Sequence, residues 1–109
     1  MEPLPKPGPK TVAGFEELAG VFASRGARKG SMFGMPVLKA KDKVFAGTFG
    51  DAMTFKLGPE DLAKALKMKG VERFEPMPGR AMKEWALVPV ARSKLWAQLA
   101  EQSWTYLAG

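Results

Sequence analysis

The stretch from Val37 to Leu57 constrains the fold most. It reads at a period of two, and its breaks are short. Val37–Lys41 turns Val37 away from the face of Leu38 and Ala40. Asp42-Lys43 forms the tip of a hairpin, and Val44–Phe49 is the returning strand, with Phe45 and Phe49 on one face. Gly50-Asp51 is a second turn. Ala52–Leu57 follows, with Met53, Phe55 and Leu57 on one face. Parallel neighbours need a crossover of about a dozen residues, so strands joined this tightly form an antiparallel meander. Gly47 in mid-strand predicts a bulge or a close approach by another element. Gly34 and Pro36 on either side of Met35 predict a bend before the first strand.

Helical periods flank the meander. Val12, Phe15, Leu18, Ala19 and Phe22 fall on one stripe. They predict a helix over Thr11–Arg25, with Thr11 as N-cap and Gly26 at its end. Prolines at 3, 5, 7 and 9 precede it. Proline fixes φ and lacks an N–H, so residues 1–10 are expected to be an extended, flexible tail. "GPEDLAKALKMKG" is a second helix: Gly58 caps it, Pro59 takes the first position, and Leu62, Ala65 and Leu66 form its buried stripe. Glu72–Pro76 reads as a short strand, Pro76–Lys83 as loop and Trp85–Val88 as a last strand. Trp96, Leu99, Ala100, Ser103 and Leu107 share one face of a closing helix over Arg92–Leu107. The order is α-β-β-β-α-(β)-β-α. It makes residues 11–109 one α+β domain, an antiparallel β-sheet with flanking helices.

Composition narrows the chemistry. The 109 residues include neither cysteine nor histidine. Disulfides, thiolate chemistry, the usual neutral-pH base and the commonest metal ligand are therefore excluded. No catalytic motif is present, and no cofactor or metal is expected. Asp42, Asp51, Glu60 and Asp61 sit where turn and capping roles suffice. No apolar run reaches the length of a membrane span, and the N-terminus has no signal-peptide core, so a cytosolic protein with no membrane contact is expected.

The formal net charge is +6, and Arg25–Lys43 holds six cations (Arg25, Arg28, Lys29, Lys39, Lys41, Lys43) against Asp42 alone. Such a segment can bind phosphate backbones without reading sequence; equally, it can be a solvated face. A second candidate surface is "GRAMKEW", where Arg80 and Lys83 could seek an anion beside Trp85. Trp85 could equally serve the core. The candidate binding residues are thus Arg28, Lys29, Arg80, Lys83 and Trp85.

"RKGSMFGMPVLKAKDKVFAGTFGDAMTFKL" resembles the N-terminal domain of the TfoX/Sxy family. The shared features are Met-Phe-Gly after a helix, a short hairpin, Phe-Ala-Gly before a turn Asp, and a strand ending in Lys-Leu. "MKEWALVP" and a closing helix are similar to standalone versions of that domain. Relatives commonly have Met-Phe-Gly-Gly where this chain has Met32-Phe33-Gly34-Met35. The resemblance implies an α+β fold with an antiparallel sheet, often paired as a homodimer. It brings no established active-site residues. Full-length relatives are competence regulators with a second, helical domain; this sequence ends at Gly109 without one, so a competence role is not expected to transfer. The expectation is a non-enzymatic domain acting through protein or nucleic-acid contacts. The alternative is a domain that binds a small anionic ligand.

Overall fold

The computed structural model describes residues 7–32, 34–75, 79 and 82–108. Its elements are α1 (Pro9–Ala23), β1 (Arg28–Met32), β2 (Met35–Ala40), β3 (Lys43–Thr48), β4 (Ala52–Lys56), α2 (Pro59–Leu66), β5 (Glu72–Arg73), β6 (Trp85–Pro89), a 3₁₀ segment (Val90–Leu95) and α3 (Trp96–Ala108). All strand pairs are antiparallel, and the six strands lie in the order β1-β2-β3-β4-β6-β5. The α+β architecture follows from the two periods in the sequence. No helix among the described residues is long and apolar enough to cross a membrane.

Helices α1 and α3 pack on one face of the sheet. Leu38, Phe45, Met53, Phe55, Ala86 and Val88 meet Phe15, Leu18, Phe22, Trp96 and Leu99 there in one core. Phe22, Phe45 and Trp104 form a mutual aromatic cluster, with ring centroids 5.4–5.7 Å apart. Tilted and edge-on rings at this spacing add to the burial of their area. The register shifts between Leu38 and Lys39: Leu38 pairs with Ala46 and Lys39 with Val44, so Phe45 is the extra residue of a bulge. The bulge lies two residues before Gly47, which itself pairs regularly with Val37, so at Gly47 the close approach holds and the bulge does not. A Cβ on Gly47 would sit 3.0 Å from Val37 Cγ1.

Several details differ from the expectations. Helix α1 starts at Pro9, with Gly8 as N-cap, so it takes in the last residues of the proline-rich segment. Proline at the first helical position loses no hydrogen bond, because that N–H has no partner in a helix. Thr11 is therefore inside the helix rather than its cap. It is fully buried, whereas Val12 is 43% exposed, and the true stripe is Thr11, Phe15, Leu18 and Phe22. The meander gains a strand in front of it, β1, paired with β2 from Arg28↔Lys39 to Met32↔Met35. The hairpin tip is Lys41-Asp42, one residue earlier than expected. The closing helix is preceded by a 3₁₀ segment in which Arg92 is non-helical, so α-helix begins only at Trp96.

Candidate functional site

The basic window folds into one corner of the sheet, where its cations have different fates. Arg25 follows α1 and reaches α3: its Nη1 and Nη2 donate to the two Glu101 carboxylate oxygens at 2.7 and 2.5 Å. Its guanidinium also lies 4.7 Å from the Phe22 ring centroid. The hydrogen bonds from Arg25 hold the Glu101 carboxyl below the ordinary carboxylate value, and Glu101 raises Arg25 in turn. Lys29 leaves β1 toward α1, where its Nζ donates to both Glu16 oxygens at 3.1 and 3.2 Å. These two cations tie helices to their surroundings.

Arg28, Lys39, Lys41 and Lys43 form no ion pair among the described residues. Arg28 and Lys39 are direct cross-strand partners. Like charges at opposed positions on neighbouring strands destabilise a sheet. Lys39 runs its alkyl stem across Gly30, whose Cβ position lies 3.0 Å from Lys39 Cε. The stem covers the edge while the ammonium stays in water. Lys41 sits at the hairpin tip with φ +59, the left-handed region that lysine seldom adopts.

Beside this tip is a cleft of about 350 Å³, lined by Arg25, Gly26, Arg28, Ala40, Lys41, Asp42 and Trp104. It gathers residues from the α1–β1 connection, the start of β1, the end of β2 with the β2–β3 turn, and α3. Of the described residues that sequence reasoning named as candidates, only Arg28 reaches it. Arg25 and Lys41 stood in the basic window but were not named as site residues. Trp104 lay outside the chosen helical stripe; its spacing of three from Glu101 was the available signal.

The second candidate surface lies elsewhere. Lys83 is an exposed turn residue whose carbonyl accepts from Arg73 Nη1 at 2.6 Å. Trp85 is half-buried in β6, opposite Lys56 of β4. Arg80 lies outside the described residues. Strands β2, β3 and β4 separate β1 from β6. At roughly 4.8 Å per strand, Arg28 and Lys29 stand about 19 Å from Trp85 across the sheet. The four described candidates therefore do not make one surface. Next to Trp85, Glu84 accepts from Tyr106 Oη at 3.1 Å, and that hydrogen bond raises the phenol above its usual value. Lys56 Nζ is 3.9 Å from the same carboxylate.

Asp51 shows what a turn carboxylate does in this fold. Its Oδ1 accepts from the Gly8 N–H at 2.7 Å and from Thr11 Oγ1 at 3.3 Å. It thus caps the N-terminus of α1 from 43 residues away, and its charge suits the positive end of that helix. Among the described residues no three Asp or Glu side chains group as a metal site. The chain matches no family model, no curated protein and no solved structure.

Proposed function

We propose that this chain is a non-enzymatic interaction domain of the TfoX/Sxy N-terminal kind, and that it contacts nucleic-acid backbone through its cationic corner. The observation that carries this reading is the set Arg28, Lys39, Lys41 and Lys43, gathered on β1 and the β2–β3 hairpin without carboxylate partners among the described residues. A polyanion would relieve the opposition of Arg28 and Lys39. The absence of histidine and cysteine from the sequence supports a non-enzymatic role. A cytosolic setting belongs to the same reading, as the one in which nucleic acid is met.

Pairing as a homodimer rests on the resemblance alone. Open sheet edges would have favoured it, but both edges here are guarded. β1 carries Arg28 and Lys29, and β5 is two residues long. Charged and very short edge strands both discourage strand addition.

The test is a titration with a short DNA duplex at two salt concentrations. Neutralising four phosphates should weaken binding about a hundred-fold between about 50 and 200 mM salt. Replacing Lys39 and Lys43 by Ala should weaken binding and flatten that salt dependence, whereas Lys83→Ala should leave both unchanged. No binding at the lower salt would sink the proposal.

A further inference from the structure

The geometry points to a binding site for a phosphate monoester in the cleft formed by Arg25, Lys41 and Trp104, with Arg28 at its rim. Register places Arg28 on the sheet face opposite Lys29, so it meets the cleft from the far side of the edge. Among the lining residues three are cations and only Asp42 is an anion. At about 350 Å³ the cleft exceeds a bare phosphate and admits part of the molecule that carries it. Trp104 offers that part an aromatic wall. It is half-buried, held from behind by Phe22 and Phe45.

The choice of phosphate over carboxylate follows from shape and charge. A planar carboxylate is satisfied by one guanidinium fork, as Glu101 is by Arg25. Cations arriving from the α1–β1 connection, β1 and the hairpin tip come from different directions. A phosphate monoester has three acceptor oxygens and close to two negative charges, which suits such a set. Arg25 spends two of its five N–H donors on Glu101, and the others are not committed to that pair.

The backbone of the turn supplies an independent observation. Lys41 holds φ +59 in a two-residue loop between Ala40 and Lys43. Glycine would adopt this conformation without a steric penalty. A lysine there trades ease of folding for a positive charge at the cleft. Strained residues retained in this way cluster at binding sites. The site differs from the backbone contact proposed above because it needs no nucleic acid: phosphate ion alone tests it.

The decisive experiment titrates inorganic phosphate into the isotopically labelled full chain, at constant ionic strength balanced with chloride, and follows amide and indole resonances. Saturable shifts are expected at Arg25, Lys41 and the Trp104 indole, with none at Lys83 or Trp85. Lys41→Gly should keep or raise the melting temperature while weakening phosphate about ten-fold, the loss of one hydrogen bond to a charged group. Shifts that never saturate, or an unchanged affinity in Lys41→Gly, would overturn the site. A second arm compares single-stranded DNA bearing a 5′-phosphate with the same strand bearing a 5′-hydroxyl. Preference for the phosphorylated strand supports the site with nucleic-acid ends as its ligand. Phosphate saturation without that preference supports it with a free phosphorylated compound. Salt-sensitive duplex binding with no phosphate saturation would remove the cleft and leave the backbone contact standing.

Discussion

At the Gly50–Asp51 turn, the Asp51 carboxylate accepts from Gly8 and Thr11 and fixes the start of α1. The left-handed position there is Gly50, at φ +59. At the Lys41–Asp42 turn the same dihedral is held by a lysine, and Arg28, Lys39 and Lys43 around it lack carboxylate partners among the described residues, whereas Arg25 is paired with Glu101. The two turns close opposite ends of β3. One uses glycine for the awkward dihedral and a carboxylate for the open backbone donor, so each group lowers the energy of the fold. The other places charge where the fold gains nothing from it. Similar hairpin geometry thus serves stability at one end and is left available for a ligand at the other.

Removing the Asp51 carboxylate should give the largest effect. Asp51→Ala strips the Gly8 N–H and the Thr11 hydroxyl of their acceptor at once. Losing a helix cap costs about 1–2 kcal/mol, and denaturant titration should show it. Asp51→Asn keeps an acceptor oxygen and should recover part of the loss. An unchanged midpoint in Asp51→Ala would remove the contrast between the turns.

A buried group that neither turn explains sharpens the comparison. Ser103 is fully buried on α3, and its Oγ has no hydrogen-bond partner among the described residues. An unsatisfied buried hydroxyl carries a desolvation penalty of about 1 kcal/mol or more. Ser103→Ala should raise stability by about 1 kcal/mol in the same assay. Lys41→Gly comes next. Relief of the left-handed strain outweighs the greater freedom of glycine in the unfolded chain, for a net gain of up to about 1 kcal/mol. A gain at Ser103 reports core polarity, whereas a gain at Lys41 accompanied by weaker phosphate binding reports a ligand site. Loss of stability in Lys41→Gly would show that the turn needs its lysine for folding.

Much of the fold was legible because burial leaves a period in the sequence. Phe15, Leu18 and Phe22 declare the inner face of α1, and Met53 with Phe55 declares that of β4. What fails is the choice between neighbours on a helix. Val12 and Thr11 differ by one step of rotation, and apolarity favoured Val12. The partner that decides it, Asp51, is 40 residues from Thr11. Strand β1 was illegible because Arg-Lys-Gly-Ser-Met shows no alternation of burial: four of its five residues are exposed, as an edge strand allows. Gly34, at φ +79 in the connection to β2, was the one local sign of a hairpin. The cleft was hidden for a related reason. The basic window was plain, but its division into paired and unpaired cations depends on Glu16 and Glu101, which arrive from helices at distant points in the chain.

The weakest effect on stability comes from the Arg25–Glu101 pair, and it tests whether the cationic corner is divided as described. Both groups are solvent-exposed, so screening keeps the contribution to folding small. Its sign is fixed by the direction of the shift. The hydrogen bonds from Arg25 depress the Glu101 carboxyl in the folded chain. A depressed carboxyl adds stability above its unfolded value and loses it as pH falls through the folded one. The melting temperature of the parent should therefore exceed that of Glu101→Gln slightly at neutral pH, and the gap should close on acidification below the lowered value. Glu101→Gln also removes the carboxylate that engages Arg25, leaving the guanidinium to the cleft. Phosphate should then bind more tightly in this variant even though its fold is marginally weaker. Opposite movement of stability and affinity is the signature of a charge shared between a structural pair and a binding site. Parallel movement would assign Arg25 wholly to the structure and leave Lys41 and Arg28 as the cations of the cleft.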